Sequence, residues 1–404
     1  MKKWTGFFFG TLLSASTFMF CQQQGDPALW NFNALSKAPT LYPVQTAEPG
    51  VRALYFESVP YQGRATRVFA YYGAPPGKHL PAMVLIHGGD GTAFAEWVRL
   101  WNRRGYAAIA IDTCGNEPEK PTGAERLWDP PKRKHEYSGP ECWDASFSKS
   151  SAPIEDQWPF HAVAAAVLAD SFLRSLPEID HERIGITGIS WGGFITEIVA
   201  SVDNRFRFAA PVYGCGFLGE DSTWLDDFKK VGKEKADRWL SLWDTSHYLP
   251  FVTMPTLWVD GTNDIPYPFD SLAKSYRLPK GPRTLVTKIA LPHNHIDGAI
   301  QPEIEAYADS FLKHGSQLAN LSMASTDVAD FRSASSVVTA ELDFTVEQGD
   351  WPQRKWRSVP AQIDEKQHRI GAAIPANATA WFFSLVDAHG MRVSSEATIV
   401  APPH

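Results

Sequence analysis

The stretch Gly188-Ile189-Ser190-Trp191-Gly192-Gly193 constrains this chain more than any other. An apolar run over 183–189 precedes it and reads as a buried strand, and 191–202 reads as a helix that starts at once. The G-x-S-x-G pattern alone arises often by chance. Between a buried strand and a helix it is the mark of a nucleophile elbow. The reason is steric: a serine in so tight a turn needs glycines at its flanks to let neighbouring backbones pass. The turn lifts the hydroxyl above the sheet edge and aims the helix N-terminus at the reacting carbon.

Around this bend, strands and helices alternate. Residues 51–59 and 66–74 read as two antiparallel opening strands, and 82–87 and 106–112 as buried strands separated by a helix over 93–104. Phe160, Val163, Ala164, Val167, Leu168 and Phe172 recur at three- and four-residue steps, which gives one apolar helix face. Residues 206–213, 256–260 and 284–291 are three further strands, and a helix over 302–313 closes the unit. This order predicts the α/β class: a mostly parallel sheet covered by helices, in the α/β-hydrolase fold. Beyond a linker at 315–320, period-two alternation over 338–346 and strand-like runs at 356–363, 369–374, 380–386 and 394–400 predict a small immunoglobulin-like β-sandwich. The expected division is a signal peptide at 1–24, a catalytic domain at 27–315 and the sandwich at 320–404.

Lys2 and Lys3 followed by an apolar stretch at 7–13 read as an export leader, too short to span a bilayer. Cys21 stands where a lipoprotein cysteine would, but Phe18-Met19-Phe20 lacks the small residues such signals use, and Ser14 and Ser16 offer another cleavage site. The expected location is periplasmic or extracellular, with no integral membrane span. Cys114 and Cys142 flank one loop-rich stretch and are the expected disulfide pair, with Cys215 a buried free thiol. The net charge of −7 argues against nucleic acid as a partner.

A serine hydroxyl needs a base and an orienting acid, and in this fold the chain order is serine, acid, histidine. The strand at 256–260 ends in Gly261-Thr262-Asn263-Asp264, which makes Asp264 the expected acid, with Asp260 the alternative. Asp264 could also cap the helix starting near Tyr267. The strand at 284–291 ends in Pro292-His293-Asn294-His295. The turn tip favours the later imidazole, so His295 is the expected base and His293 the alternative. Oxyanion donors are expected from the Trp191 amide and from Gly89 or Asp90 in His87-Gly88-Gly89-Asp90-Gly91, between which the sequence does not choose. No metal or other cofactor is expected, the triad order already accounting for the histidines. Two excursions, 113–153 and 214–249, follow strand ends where open α/β sheets bind ligands. They are expected to form the pocket rim, and Trp224, Trp239 and Trp243 of the second are expected to suit a sugar.

The stretches HGGDGTAFAEWVRLWNRRGYAAIA, IEDQWPFHAVA, GISWGG, PVYGCGFLGE and GTNDIPYPFDSLAKSYRLPKGPRT resemble bacterial acetylxylan-esterase-like hydrolases. These are related to dienelactone hydrolases and to prolyl-oligopeptidase-type catalytic domains. The resemblance covers most of residues 51–314. It implies a triad of Ser190, Asp264 and His295, although the family often carries His-Gly-His-Gly where this chain has His293-Asn294-His295-Ile296. The implied activity is hydrolysis of acyl or methyl esters, with an ester-bearing carbohydrate as substrate. A serine peptidase without a propeller is the alternative.

Overall fold

The computed structural model describes residues 1, 25–45, 48–119, 128–142 and 147–400. Residues 2–24 of the expected leader, Cys21 included, lie outside the described residues.

Uninterrupted apolar runs make the centre of the molecule. β4 (Leu80–Ile86) and β5 (Ala107–Ile111) are buried at every residue, as strands covered on both faces must be. With β8 (Ile179–Ile189), β9 (Ala209–Val212), β10 (Thr256–Gly261) and β11 (Arg283–Lys288) they form a parallel core in the order β5-β4-β8-β9-β10-β11. β1 (Leu41–Pro43), β2 (Arg52–Tyr61) and β3 (Arg64–Gly73) extend it antiparallel beyond β5. The helices of this unit include α1 (Ala95–Arg103), α2 (Trp158–Arg174), α3 (Trp191–Val202) and α4 (Phe269–Tyr276). α2 is buried nearly all round, because Ala and small apolar residues occupy the positions an amphipathic helix gives to charge.

Both excursions contain more order than their sequences suggest. In the first, β6 (Asn116–Pro118) pairs with β7 (Lys132–Lys134), and a Cys114–Cys142 disulfide joins Cα atoms 4.7 Å apart, as expected. Cys215 is buried and free, and burial pushes its thiol well up. The second excursion is largely helical, with segments Leu225–Val231 and Lys233–Trp243. In the latter, Ala236, Trp239, Leu242 and Trp243 are buried at helical spacing, a periodicity that the many charged residues between them obscure.

The segment expected as a separate sandwich is hydrogen-bonded into the catalytic sheet. Its strands are β12 (Asn320–Met323), β13 (Val328–Arg332), β14 (Val337–Thr345), β15 (Arg357–Pro360), β16 (Gln362–Asp364), β17 (Arg369–Gly371), β18 (Ala380–Asp387), β19 (Arg392–Ser394) and β20 (Thr398–Ile399). β19 joins β11 at the pair Leu285–Ser394, and β18, β14 and β15 follow, with β20 also on β18. β12, β13, β17 and β16 form a second, four-stranded sheet. Its Leu321, Phe331 and Ile370 share one core cluster with Leu342, Phe383 and Leu385 of the first. Residues 356–363, read as one strand, divide at Ala361, whose N–H donates to the Ala340 carbonyl at 2.9 Å, so β15 and β16 enter different sheets. The run at 394–400 divides likewise into β19 and β20. β12 and β13 were not expected, being short and half polar. Against β18 of the large sheet, Phe269 of α4 packs with Trp351, Ala380, Phe382 and Ala397.

Candidate active site

Ser190 lies where β8 ends and α3 begins, with φ 60° and ψ −121°. A non-glycine residue rarely adopts that conformation, and here it is held from several sides. The Ser190 N–H donates to the Val212 carbonyl at 2.8 Å, and the Phe194 N–H donates to the Ser190 carbonyl at 2.9 Å. The flanking glycines are packing requirements. A Cβ on Gly188 would lie 2.1 Å from the Gly192 carbonyl oxygen, and one on Gly192 would lie 2.1 Å from that of Ile86.

His293 Nε2 lies 2.9 Å from Ser190 Oγ, and His293 Nδ1 lies 2.5 Å from Asp264 Oδ2. A carboxylate only accepts, so Nδ1 carries the proton and Nε2 is left to accept from the serine hydroxyl. The His293 ring packs against Tyr213 at a tilt of 33° with centroids 4.6 Å apart, and the Tyr213 hydroxyl donates to the Pro292 carbonyl at 2.7 Å. Tyr213 thus holds both ring and loop. Asp264 is buried, and its second oxygen accepts the Tyr267 N–H at 2.8 Å. The helix expected near Tyr267 starts instead at Phe269, with Pro268 as its N-cap and no side-chain cap, so Asp264 does not cap it; its second oxygen holds the turn that leads into α4.

The alternative acid, Asp260, stays inside β10, fully buried. Burial and the neighbouring Asp264 push its carboxyl well up, toward the protonated form, and its Oδ1 accepts the Gly261 N–H at 2.6 Å.

His295, expected as the base, does not reach the serine in this arrangement; the alternative His293 does. The physical reason is Asn294. Its side chain accepts the Asp297 N–H at 2.8 Å and caps a helical turn, His295–Ala299. His295 is thereby committed to the first helical turn, while His293 remains in the loop that faces Asp264. The pattern Asn294-x-x-Asp297 was the available signal. The His295 Nε2 instead accepts the Gly88 N–H at 2.9 Å.

The loop after β4 passes directly over the serine. A Cβ on Gly88 would lie 3.1 Å from Ser190 Cβ. The Gly88 carbonyl lies 2.6 Å from His87 Nδ1, and the Thr113 N–H donates to His87 Nε2 at 2.9 Å, so His87 is the Nδ1–H tautomer and donates to Gly88. In a trans peptide C=O and N–H point in opposite directions. With the Gly88 carbonyl turned into the buried His87 ring, the Gly89 N–H of the same peptide points away from it. Asp90 lies at the exposed tip, with φ 51°, and its carboxylate lies 3.7 Å from Lys132. The Trp191 amide is the first of α3.

Trp224, Trp239 and Trp243 form no open platform for a sugar. All three are buried at 2% exposure or less, and the Trp191 ring packs against Trp224 at 4.6 Å and Trp239 at 6.1 Å. Trp224 and Trp239 support the elbow, whereas Trp243 packs against Trp30 with centroids 6.2 Å apart. Among the described residues no group of three or more His, Cys, Asp or Glu side chains is arranged to hold a metal ion, and no helix is long and apolar enough to cross a membrane.

The family model for acetyl xylan esterase (AXE1) matches residues 25–231. Similar solved structures include the acetyl xylan esterase from Paenibacillus sp. R4, at 21% identity and TM-score 0.54, covering 70% of this chain and 92% of that one. Acetyl xylan esterase 1 from Thermoanaerobacterium sp. JW/SL YS485 is similar at 13% identity and TM-score 0.51, with the same coverage of each chain. These likenesses carry the α/β-hydrolase fold. No curated protein matches the sequence at the same stringency.

Proposed function

The chain belongs to the acetyl xylan esterase (AXE1) family of esterase-like hydrolases, and from that premise we propose that it is a serine esterase acting through Ser190, His293 and Asp264. The observation that carries the reading is the continuous relay from Ser190 Oγ through His293 to Asp264, at 2.9 and 2.5 Å. His293 takes the serine proton as Oγ attacks the ester carbonyl, and Asp264 holds the imidazolium that forms. The amides of Trp191 and Gly89 take the developing oxyanion, each contributing on the order of 3 kcal/mol to the transition state. His293 then returns its proton to the leaving alcohol, and water repeats the sequence on the acyl-enzyme.

The substrate class is an acyl ester, acetyl above all, on a carbohydrate, and family membership is what supports it. The Cys114–Cys142 bridge supports work in an oxidising compartment, periplasmic or extracellular. The test is a panel of acetylated xylo-oligosaccharide, methyl-esterified pectin, aryl acetate and peptide anilide, run on wild type beside Ser190→Ala. Acetate release that disappears in the variant, together with loss of fluorophosphonate labelling, is the expected outcome. Hydrolysis surviving Ser190→Ala would overturn the mechanism, and preference for the anilide would overturn the substrate class.

A further inference from the structure

The relay leaves one half-buried imidazole unused. His295 stands beside the nucleophile, yet its Nε2 is occupied by the Gly88 amide. The spot where a Gly88 Cβ would sit lies 3.0 Å from His295 Nε2, 3.1 Å from Ser190 Cβ and 3.1 Å from the Ile189 carbonyl oxygen. Three segments therefore converge on the Gly88 Cα: the loop after β4, the elbow and the turn after β11. The two polar groups of Gly88 are both taken by histidines, the carbonyl by His87 and the amide by His295. Phe94, at the entrance to α1, packs edge-on against the His295 ring with centroids 4.7 Å apart, which fixes the ring plane.

We propose that His295 is a positioning residue for the oxyanion hole: by accepting the Gly88 amide it ties the loop that bears His293 to the loop that bears Gly89, and so holds the Gly89 N–H over Ser190. This rests on the esterase reading and goes beyond it, because the base and the oxyanion donor sit on separate loops that share no strand or helix. Oxyanion stabilisation depends on donors being held in place before the charge develops. Gly88 and Gly89 have no side chains with which to hold themselves, so external anchors must supply the rigidity. His87 holds the peptide that carries the Gly89 amide, and His295 holds the one before it.

An imidazole suits this task only as a neutral acceptor with its proton on Nδ1. Three groups that face His295 give it no reason to charge: His87 on the loop after β4, the neighbouring His293, and Lys132 of β7. With burial the largest cause, they push its pKa down to about 3. The ring therefore stays neutral through the working range of a histidine-based hydrolase. A charged His295 would lose its acceptor and release Gly88.

The experiment compares His295→Leu, which keeps apolar contact with Phe94 but removes the acceptor, with His295→Gln, whose amide oxygen can replace Nε2. Each is assayed for aryl acetate kcat and KM, for binding of an arylboronic acid as a tetrahedral oxyanion mimic, and for fluorophosphonate labelling. His295→Leu should lose tenfold to a hundredfold in kcat and in boronate affinity at nearly unchanged KM. Labelling and the acidic limb of the pH profile should survive, and His295→Gln should recover most of the loss. Because a leucine variant can fail to fold, 15N NMR of the wild type gives an independent reading: His295 Nε2 should show an unprotonated shift from pH 5 to 8. A folded leucine variant with undiminished boronate affinity would overturn the proposal, as would a folded glutamine variant no better than leucine, or a protonated Nε2. Loss of labelling in both His295 variants would make His295 the base and overturn it too. Activity that survives Ser190→Ala would instead sink the esterase reading alone.

Discussion

At the scale of single residues, Asp264 performs two jobs that can be separated. Its Oδ2 faces His293 and its Oδ1 accepts the Tyr267 N–H in the turn before α4. Asparagine keeps an oxygen for the Tyr267 N–H but cannot stabilise the imidazolium. Asp264→Asn should therefore lower kcat by about 10⁴ while shifting stability by less than ~1 kcal/mol, checked by ester kinetics beside thermal melting. Buried histidines give a second prediction. Burial pushes His161 down to about 4, and its Nε2 lies 2.9 Å from the Glu155 carbonyl. The unfolded chain binds that proton more readily than the folded one between the ordinary value near 6.5 and about 4. The neutral ring's contribution is thus complete above pH 6.5 and is lost as pH falls through this window. Asp170, pushed up to about 6 by burial first and Asp203 next, works in the opposite direction and favours the fold in acid. Replacing His161 with Phe should make stability fall less between pH 6.5 and 4.5 than in wild type, as read by urea unfolding at each pH. Ser190 and Asp264 were legible because each type stands at a strand end in the expected order. The choice of histidine was not, because two imidazoles two positions apart differ only in the path the backbone takes, and the Asn294 cap decides that path.

At the scale of elements, α4 links the catalytic unit to the strands that follow it. Phe269 fills an aromatic socket of Trp351, Trp356 and Phe382, with centroids 5.3, 4.8 and 5.9 Å away. Truncating a buried aromatic of this kind typically costs about 3–5 kcal/mol, and Phe269→Ala should lose that much in chemical unfolding. The adjoining loop is bound as well: the Asn263 side-chain amide donates to the Pro352 and Arg354 carbonyls at 3.1 and 2.7 Å. Asn263 precedes Asp264, so Asn263→Ala should lower kcat with little change in KM, measured on an aryl acetate. The buried runs of β4 and β5 were readable from their unbroken apolar sequence, and the buried parts of β8 and β10 from the apolar residues around Ile184, Ile186 and Ile189 and over 257–259. The helices within 218–243 and strands β12 and β13 were not, because mixed charge and short length leave too little periodicity for a local reading.

At the scale of the whole molecule, the Cys114–Cys142 bridge closes a loop with a sequence separation of 28, which in the chain-entropy picture is worth ~3.5 kcal/mol. Cys142→Ser should lower stability by about that amount and should make the first excursion the earliest site of proteolytic cutting, read by urea unfolding and limited digestion. That the core is a mostly parallel sheet followed from strand and helix alternation. The union of the two parts did not, because the pairing of β11 with β19 joins residues more than a hundred positions apart, and period-two alternation cannot tell which edge a strand will meet.

The two Asn263 hydrogen bonds place the carboxylate that steadies the base under the custody of the tail. Fraying of residues 350–354 would release the acid while the parallel core stays intact, and turnover would cease first. On slow heating, ester hydrolysis should therefore fail several degrees below the loss of helical circular dichroism, and crosslinking the tail to α4 should bring the two temperatures together.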